Sequence, residues 1–182
     1  MRCGHSGGQG WWGCKAASLR AACAPTIGIP ETPLSAEAHK AVLRALDDEY
    51  RAQAFYRAVL GKFPYALPFL PIAESEERHA AALTSILDAY GAPTPPNPHL
   101  DSPEILESVP GTLACACEAA VEDEIRNDRL YAEELLPEVA AYPVIAQVFE
   151  ALMRASRECH LPAFRSFAEA YRMKRPLTQA PA

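Results

Sequence analysis

The chain has 182 residues, of which 49% are hydrophobic and 22% charged, and its formal net charge is −6 at pH 7. That length predicts one domain with a sizeable core and room for a tail. The acidic balance, with no basic run longer than two residues, excludes a nucleic-acid surface, and the longest strongly apolar stretch, residues 66–73, falls far short of the roughly 20 residues that span a bilayer.

Residues 1–34 differ from the rest. Gly4, Gly7, Gly8, Gly10 and Gly13 break any helical period, and the apolar centre of a signal peptide is missing. The composition predicts a disordered leader. A zinc site made of Cys3, His5, Cys14 and Cys23 is the competing reading, but those spacings match no zinc knuckle. Cys115, Cys117 and Cys159 fall in helical segments and read as core residues. This is not the cysteine pattern of a small secreted scaffold, so reduced thiols in a cytoplasm are expected.

From Ser35 the pattern turns helical, with Thr32 or Ser35 as cap and Glu37 in the first turn. Val42, Leu46, Glu49, Gln53, Tyr56 and Leu60 share one face, and Gly61 ends this first helix. Pro68 and Pro71 suit the first turns of a second helix, which runs to Tyr90 and is closed by Gly91. Residues 92–111 hold Pro93, Pro95, Pro96, Pro98, Pro103 and Pro110, too many for a core element, although 102–109 can make a helical turn or two. A third helix is predicted over about 112–136. A fourth starts near Pro143 and reaches about Met173, with a kink or break at Pro162. Residues 175–182 read as a loose tail.

No stretch alternates with period two, so the fold class is all-α. The two short connections predict two antiparallel helical hairpins, and the long one predicts a crossover between helices 2 and 3. That is the ferritin-like antiparallel four-helix bundle with one long crossover, here over residues 35–174.

Each predicted helix places a ligand-type side chain on its apolar face. Helix 1 offers Glu49. Helix 2 offers Glu76 and His79, which lie on one face with Ile72 and Leu83. Helix 3 offers Glu118 and Glu122, with Asp123 and Glu124 turned to water. Helix 4 offers His160, on a stripe with Phe149, Leu152, Ser156, Ala163 and Phe167. Taken singly, a Glu on such a stripe can reach water at the rim, and a Glu–His pair can be an ordinary buried hydrogen bond. Taken together they suggest a metal site, because carboxylates offset cationic charge and imidazole adds a neutral ligand. Helix 4 departs from symmetry: three residues before His160 stands Arg157, not a glutamate. Arg129 or Arg157 could instead pair with the carboxylates in a metal-free polar core.

These residues resemble the ferritin-like superfamily of rubrerythrins and bacterioferritins. Asp48-Glu49-Tyr50-Arg51-Ala52 looks like its first-helix glutamate segment, and Glu74-Ser75-Glu76-Glu77-Arg78-His79 like its Glu-x-x-His helix. More narrowly, residues 72–79 and His160-Leu161-Pro162-Ala163-Phe164 are similar to an uncharacterised, mainly prokaryotic ferritin-like family, domain of unknown function 2202. The resemblance implies a site for one or two iron ions, or manganese, that acts on oxygen, peroxide or ferrous iron. Its ligands would be Glu49, Glu76, His79, Glu122 and His160, with Glu118 as a replacement. It also implies pairing of domains, for which Leu67, Phe69 and Leu70 could form a homodimer patch. The competing function is a non-catalytic interaction or assembly module, with no nucleic-acid or membrane partner in either case.

Overall fold

The computed structural model of the protein describes residues 32–173; the expectations for the leader, its cysteines and the tail fall outside the described residues. Among the described residues the chain is helical throughout, with no strand. Helix α1 is Ala36–Lys62, capped by Ser35, whose Oγ accepts from the Ala38 amide at 3.1 Å. Helix α2 is Phe69–Ala89; Gly91, at φ 65°, turns the chain away in a conformation that suits glycine. Helix α3, Pro103–Ser108, is one short helix held by the Ser102 cap, and it buries Ile105.

Helix α4 covers residues 113–138. It starts at the Thr112 cap as the α-helix Leu113–Arg129, widens into a π-helical turn at Leu130–Leu135, and closes with Leu136–Glu138. Helix α5 covers residues 143–173 and repeats the plan: Pro143–Ala155, a π-helical turn at Ser156–His160, then Leu161–Met173. The kink or break expected at Pro162 is therefore a wide turn within a continuous helix. The reason is visible in α4 as well. Pro137 and Pro162 each stand two residues after a π-helical turn. A proline ring collides with the carbonyl four residues back and brings no N–H; a locally wider turn accommodates both features.

α1 packs along α2, and α4 packs along α5. Residues 90–112 run beside α1. Asn97 Nδ2 donates to the Tyr50 carbonyl at 3.1 Å and to Gln53 Oε1 at 3.2 Å, and Lys62 Nζ donates to the Val109 carbonyl at 3.2 Å. Ile105 and Val109 are buried, so this proline-rich connection contributes to the core after all.

The core has two apolar parts. One holds Leu46, Leu83, Leu87, Tyr131, Leu135 and Phe149. The other holds Tyr56, Phe69, Ile72, Ile105 and Phe164, with the rings of Tyr56, Phe69 and Phe164 5.0–5.8 Å apart. Each such side chain contributes about 1.5–3 kcal/mol by leaving water. Phe69 is fully buried here, so it cannot belong to a contact patch, whereas Leu67 and Leu70 are exposed. Among the described residues the free thiols are those of Cys115 and Cys117; Cys117 is buried as expected, Cys115 is exposed, and Cys159 is disulfide-bonded rather than reduced. Between the apolar parts lies a buried polar layer, to which α1, α2, α4 and α5 all contribute.

Candidate metal centre

The polar layer is a chain of contacts running across the molecule. Glu49 of α1 sits with Oε2 3.1 Å from His79 Nδ1. His79 Nδ1 is also 2.7 Å from Glu76 Oε2, both from α2. The other Glu76 oxygen lies 3.0 Å from His160 Nδ1 of α5, which is 3.5 Å from Glu124 Oε1 of α4. Tyrosines hold the two ends: Tyr131 donates to Glu49 Oε1 and Tyr56 donates to Glu124 Oε1, each at 2.7 Å. All three glutamates are at most 4% exposed, and the two imidazoles, 5.4 Å apart, stack at 20°.

Two overlapping groups result, Glu49–Glu76–His79 and Glu76–Glu124–His160, and either could hold a metal ion. Within each, one ligand atom per residue lies within 4.8 Å of the others. Glu76 belongs to both. The fit can be judged on two orphaned atoms. Glu76 Oε2 and His160 Nδ1 are buried with no hydrogen-bond partner. Their neighbours stand at hydrogen-bonding distance, but not along hydrogen-bond directions. Ligand atoms gathered within each trio without aligned hydrogen bonds suit a cation among them. Ser75 adds to this. Its Oγ is 3.3 Å from His79 Nε2, so it can accept the Nε2 proton while Nδ1 offers its lone pair to the carboxylate side.

The electrostatics are those of a charge cluster out of water. Burial pushes the Glu49 carboxyl up to about 7, against the pull of His79. Burial alone would also raise Glu76, but His160 and then His79 overcome it and hold this carboxyl well below the usual range. Burial alone would lower His79, yet Glu76 and Glu49 keep it up at about 9; His160 is raised by Glu76 and Glu124 in the same way. Tyr56 and Tyr131 are held protonated by burial and by the carboxylates they serve. Without metal, protons on the imidazoles and on Glu49 supply the balancing charge. Those are the protons a cation would displace.

The structure brings together Glu49, Glu76, His79 and His160. It does not bring in Glu122 or Glu118. Glu122 is exposed, and Glu118 is half-buried and paired with Arg172. Arg157 is exposed and bonds Asp128 at 2.8 Å, and Arg129 is exposed too, so neither arginine occupies the centre. The ligand-type residue of α4 is Glu124, which the sequence pattern turns to water. The buried face of α4 runs Ala116, Ala120, Glu124, Asn127, Tyr131, Leu135. Two signals point to it. One is backward counting by threes and fours from Tyr131 and Leu135. The other is an internal repeat: Asp48-Glu49-x-Arg51 with Tyr56 recurs as Asp123-Glu124-x-Arg126 with Tyr131. In both copies the tyrosine lies seven residues after the glutamate and bonds the glutamate of the other copy.

On α5 the π-helical turn changes which residue shares the face of His160. Ser156, 2% exposed, stands on that face, and Arg157 is rotated outward. A small cavity of about 10 Å³ opens beside the layer, lined among others by Ser156, Glu49, Glu76, Glu124, Tyr56 and Asn127. It continues to Asp48, Arg51 and Asp123. Arg51 lies 3.3 Å from Asp48 and 4.0 Å from Asp123. Burial raises the Asp123 carboxyl to about 6, opposed by Arg51.

No protein-family model, curated protein or solved structure matches the chain. Among the described residues, no helix is long and apolar enough to cross a membrane.

Proposed function

We propose that this chain is a ferritin-like metal-binding protein whose buried carboxylate–histidine layer holds iron, one ion in each trio, with manganese as the alternative cation. In this reading α1, α2, α4 and α5 form an antiparallel four-helix bundle and residues 90–112 are its long crossover. Glu49, Glu76 and His79 would hold one ion; Glu76, Glu124 and His160 would hold the second. Iron, when bound, supplies one-electron exchange between its ferrous and ferric states, used toward oxygen, peroxide or ferrous iron. The chain's own part is to fix the ligands. Tyr131 and Tyr56 lock the outer carboxylates by hydrogen bonds, and the apolar core on either side keeps bulk water away.

The observation that carries the reading is the pair of orphaned buried atoms, Glu76 Oε2 and His160 Nδ1, one in each trio. Each atom has a charged neighbour at 2.7–3.0 Å but no aligned hydrogen bond; leaving a buried polar atom without one costs about 1–3 kcal/mol, and a cation in each trio removes that cost. The test is the metal content and visible spectrum of protein purified without chelator, beside Glu76→Ala and His79→Ala. We expect two ions per chain in the wild type, about one in His79→Ala, and close to none in Glu76→Ala. Negligible metal in all three would overturn the proposal in favour of a metal-free interaction module.

A further inference from the structure

His79 is held at both of its ring nitrogens. Nδ1 faces the layer, 3.1 Å from Glu49 Oε2 and 2.7 Å from Glu76 Oε2. Nε2 faces back along its own helix, 3.3 Å from the Oγ of Ser75, four residues earlier on α2. Side chains on a helix lean toward its N-terminus, so an imidazole reaches back over the preceding turn. Ser75 is 5% exposed and His79 7%, so little water competes for the contact.

The counterpart on α5 is built differently. Ser75-Glu76-x-x-His79 recurs as Ser156-Arg157-x-x-His160, with the serine again buried and again four residues before the histidine. There the step is a π-helical turn, Ser156–His160. Its wider winding takes serine and imidazole out of the relation they keep on α2. Among the described residues, no hydrogen bond joins Ser156 to His160. The groups that face His160 Nδ1, Glu76 and Glu124, both come from other helices.

We propose that Ser75 is a positioning residue for the Glu49–Glu76–His79 trio, and that Ser156 has no such part in the other trio. This rests on the metal reading above. A hydroxyl both donates and accepts, so Ser75 can keep its bond to Nε2 whichever ring nitrogen carries the hydrogen. With Nδ1 given to a cation, Nε2 carries the hydrogen and Ser75 accepts it. The ring plane is thus set in advance, and loading needs no reorientation. Without the hydroxyl, the broad torsion between Cβ and the ring no longer has a stop on the Nε2 side, and Nδ1 loses its fixed aim at the carboxylates.

The role can be read without turnover. The full chain is titrated with cobalt(II) and its visible absorption followed, for the wild type, Ser75→Ala, Ser75→Thr and Ser156→Ala. The wild type should take up two ions. Ser75→Ala should bind one of them about tenfold or more weakly and leave the other unchanged. Ser75→Thr, which keeps a hydroxyl, should recover most of the loss, and Ser156→Ala should match the wild type. Alanine is the better helix former, so a loss in Ser75→Ala is not a loss of α2 itself. A ring signal separates positioning from packing. In the zinc(II) form, the Nε2 proton of His79 should appear in nitrogen–proton spectra protected from exchange, and Ser75→Ala should lose that protection. Equal cobalt affinity in wild type and Ser75→Ala, an equal loss in Ser156→Ala, or unchanged protection in Ser75→Ala overturns the role of Ser75 and leaves the metal reading standing. Wild type that takes up no cobalt overturns both.

Discussion

Tyr131 on α4 donates its hydroxyl to Glu49 on α1 at 2.7 Å, and the repeat returns the bond from Tyr56 to Glu124 at the same distance. The two tyrosines tie the halves of the molecule together through the very carboxylates that flank the histidines. A hydrogen bond to a charged group contributes about 1.5–3 kcal/mol, and its loss leaves a buried carboxylate short of a donor. Tyr131→Phe and Tyr56→Phe should each destabilise the metal-free protein by about that amount in urea denaturation. Addition of iron(II) or manganese(II) should recover part of the loss. Unchanged midpoints in both variants would mean that the hydroxyls do not support the carboxylates.

Glu124 and Glu122 give the sharpest contrast between pattern and structure. Glu124 is 4% exposed and within reach of His160, whereas Glu122 faces outward. Glu124→Gln should lose one of the two bound ions; Glu122→Gln should lose none. Atomic absorption on the purified variants decides it. Metal loss in the Glu122 variant alone would reverse the assignment.

Much of the layer is legible in the sequence because α1 and α2 carry large apolar side chains that mark their inward faces. Leu46 and Tyr56 bracket Glu49, and Ile72 and Leu83 bracket Glu76 and His79. The first turns of α4 carry no such mark. Alanines and cysteines surround it on several sides, so residues 113–124 fit more than one face almost equally well, and Glu118 with Glu122 looks as good as Glu124. On α5 the difficulty is geometric. Counting at 3.6 residues per turn assumes an unbroken α-helix. The buried positions Leu152, Ser156, His160, Phe164 and Ala168 recur every four residues instead, and the π-helical turn at Ser156–His160 absorbs the difference. A proline shortly after a wide turn, present in both α4 and α5, is the one local sign of it.

The pH dependence of the metal-free protein follows from the buried charges. Glu49 is held at about 7 against an ordinary 4.5, and His79 at about 9 against 6.5. Both are raised in the fold, so each contributes stability that is complete below its ordinary value and is lost as pH rises through the folded one. Glu76 is depressed, so its contribution is present above 4.5 and is lost only in acid. Between about pH 6 and pH 9 these two act in the same direction, and His160, raised by Glu76 and Glu124, adds to them. Chelator-treated protein should therefore be less stable at the alkaline end. Metal uptake displaces the same protons, so the stability gained on adding manganese(II) should grow over that interval. Urea midpoints at both ends, with and without metal, test this, and a metal-free protein that gains stability toward alkaline pH would contradict it.

Arg157 separates a sequence-based design from a structural one. Three residues before His160, it invites Arg157→Glu as the change that completes a second Glu-x-x-His step. Its side chain, however, is outside the layer and bonds Asp128 at 2.8 Å. The new glutamate would remain on the surface beside Asp128, a like-charge neighbour in place of an ion pair. Metal content and the cobalt spectrum of Arg157→Glu should match the wild type, with a small loss in thermal midpoint that shrinks as salt is added. Ser156→Glu should do the opposite, altering the cobalt spectrum because it reaches the inward face. If Arg157→Glu instead changes the spectrum and Ser156→Glu does not, the π-helical turn does not set the register of α5 at His160.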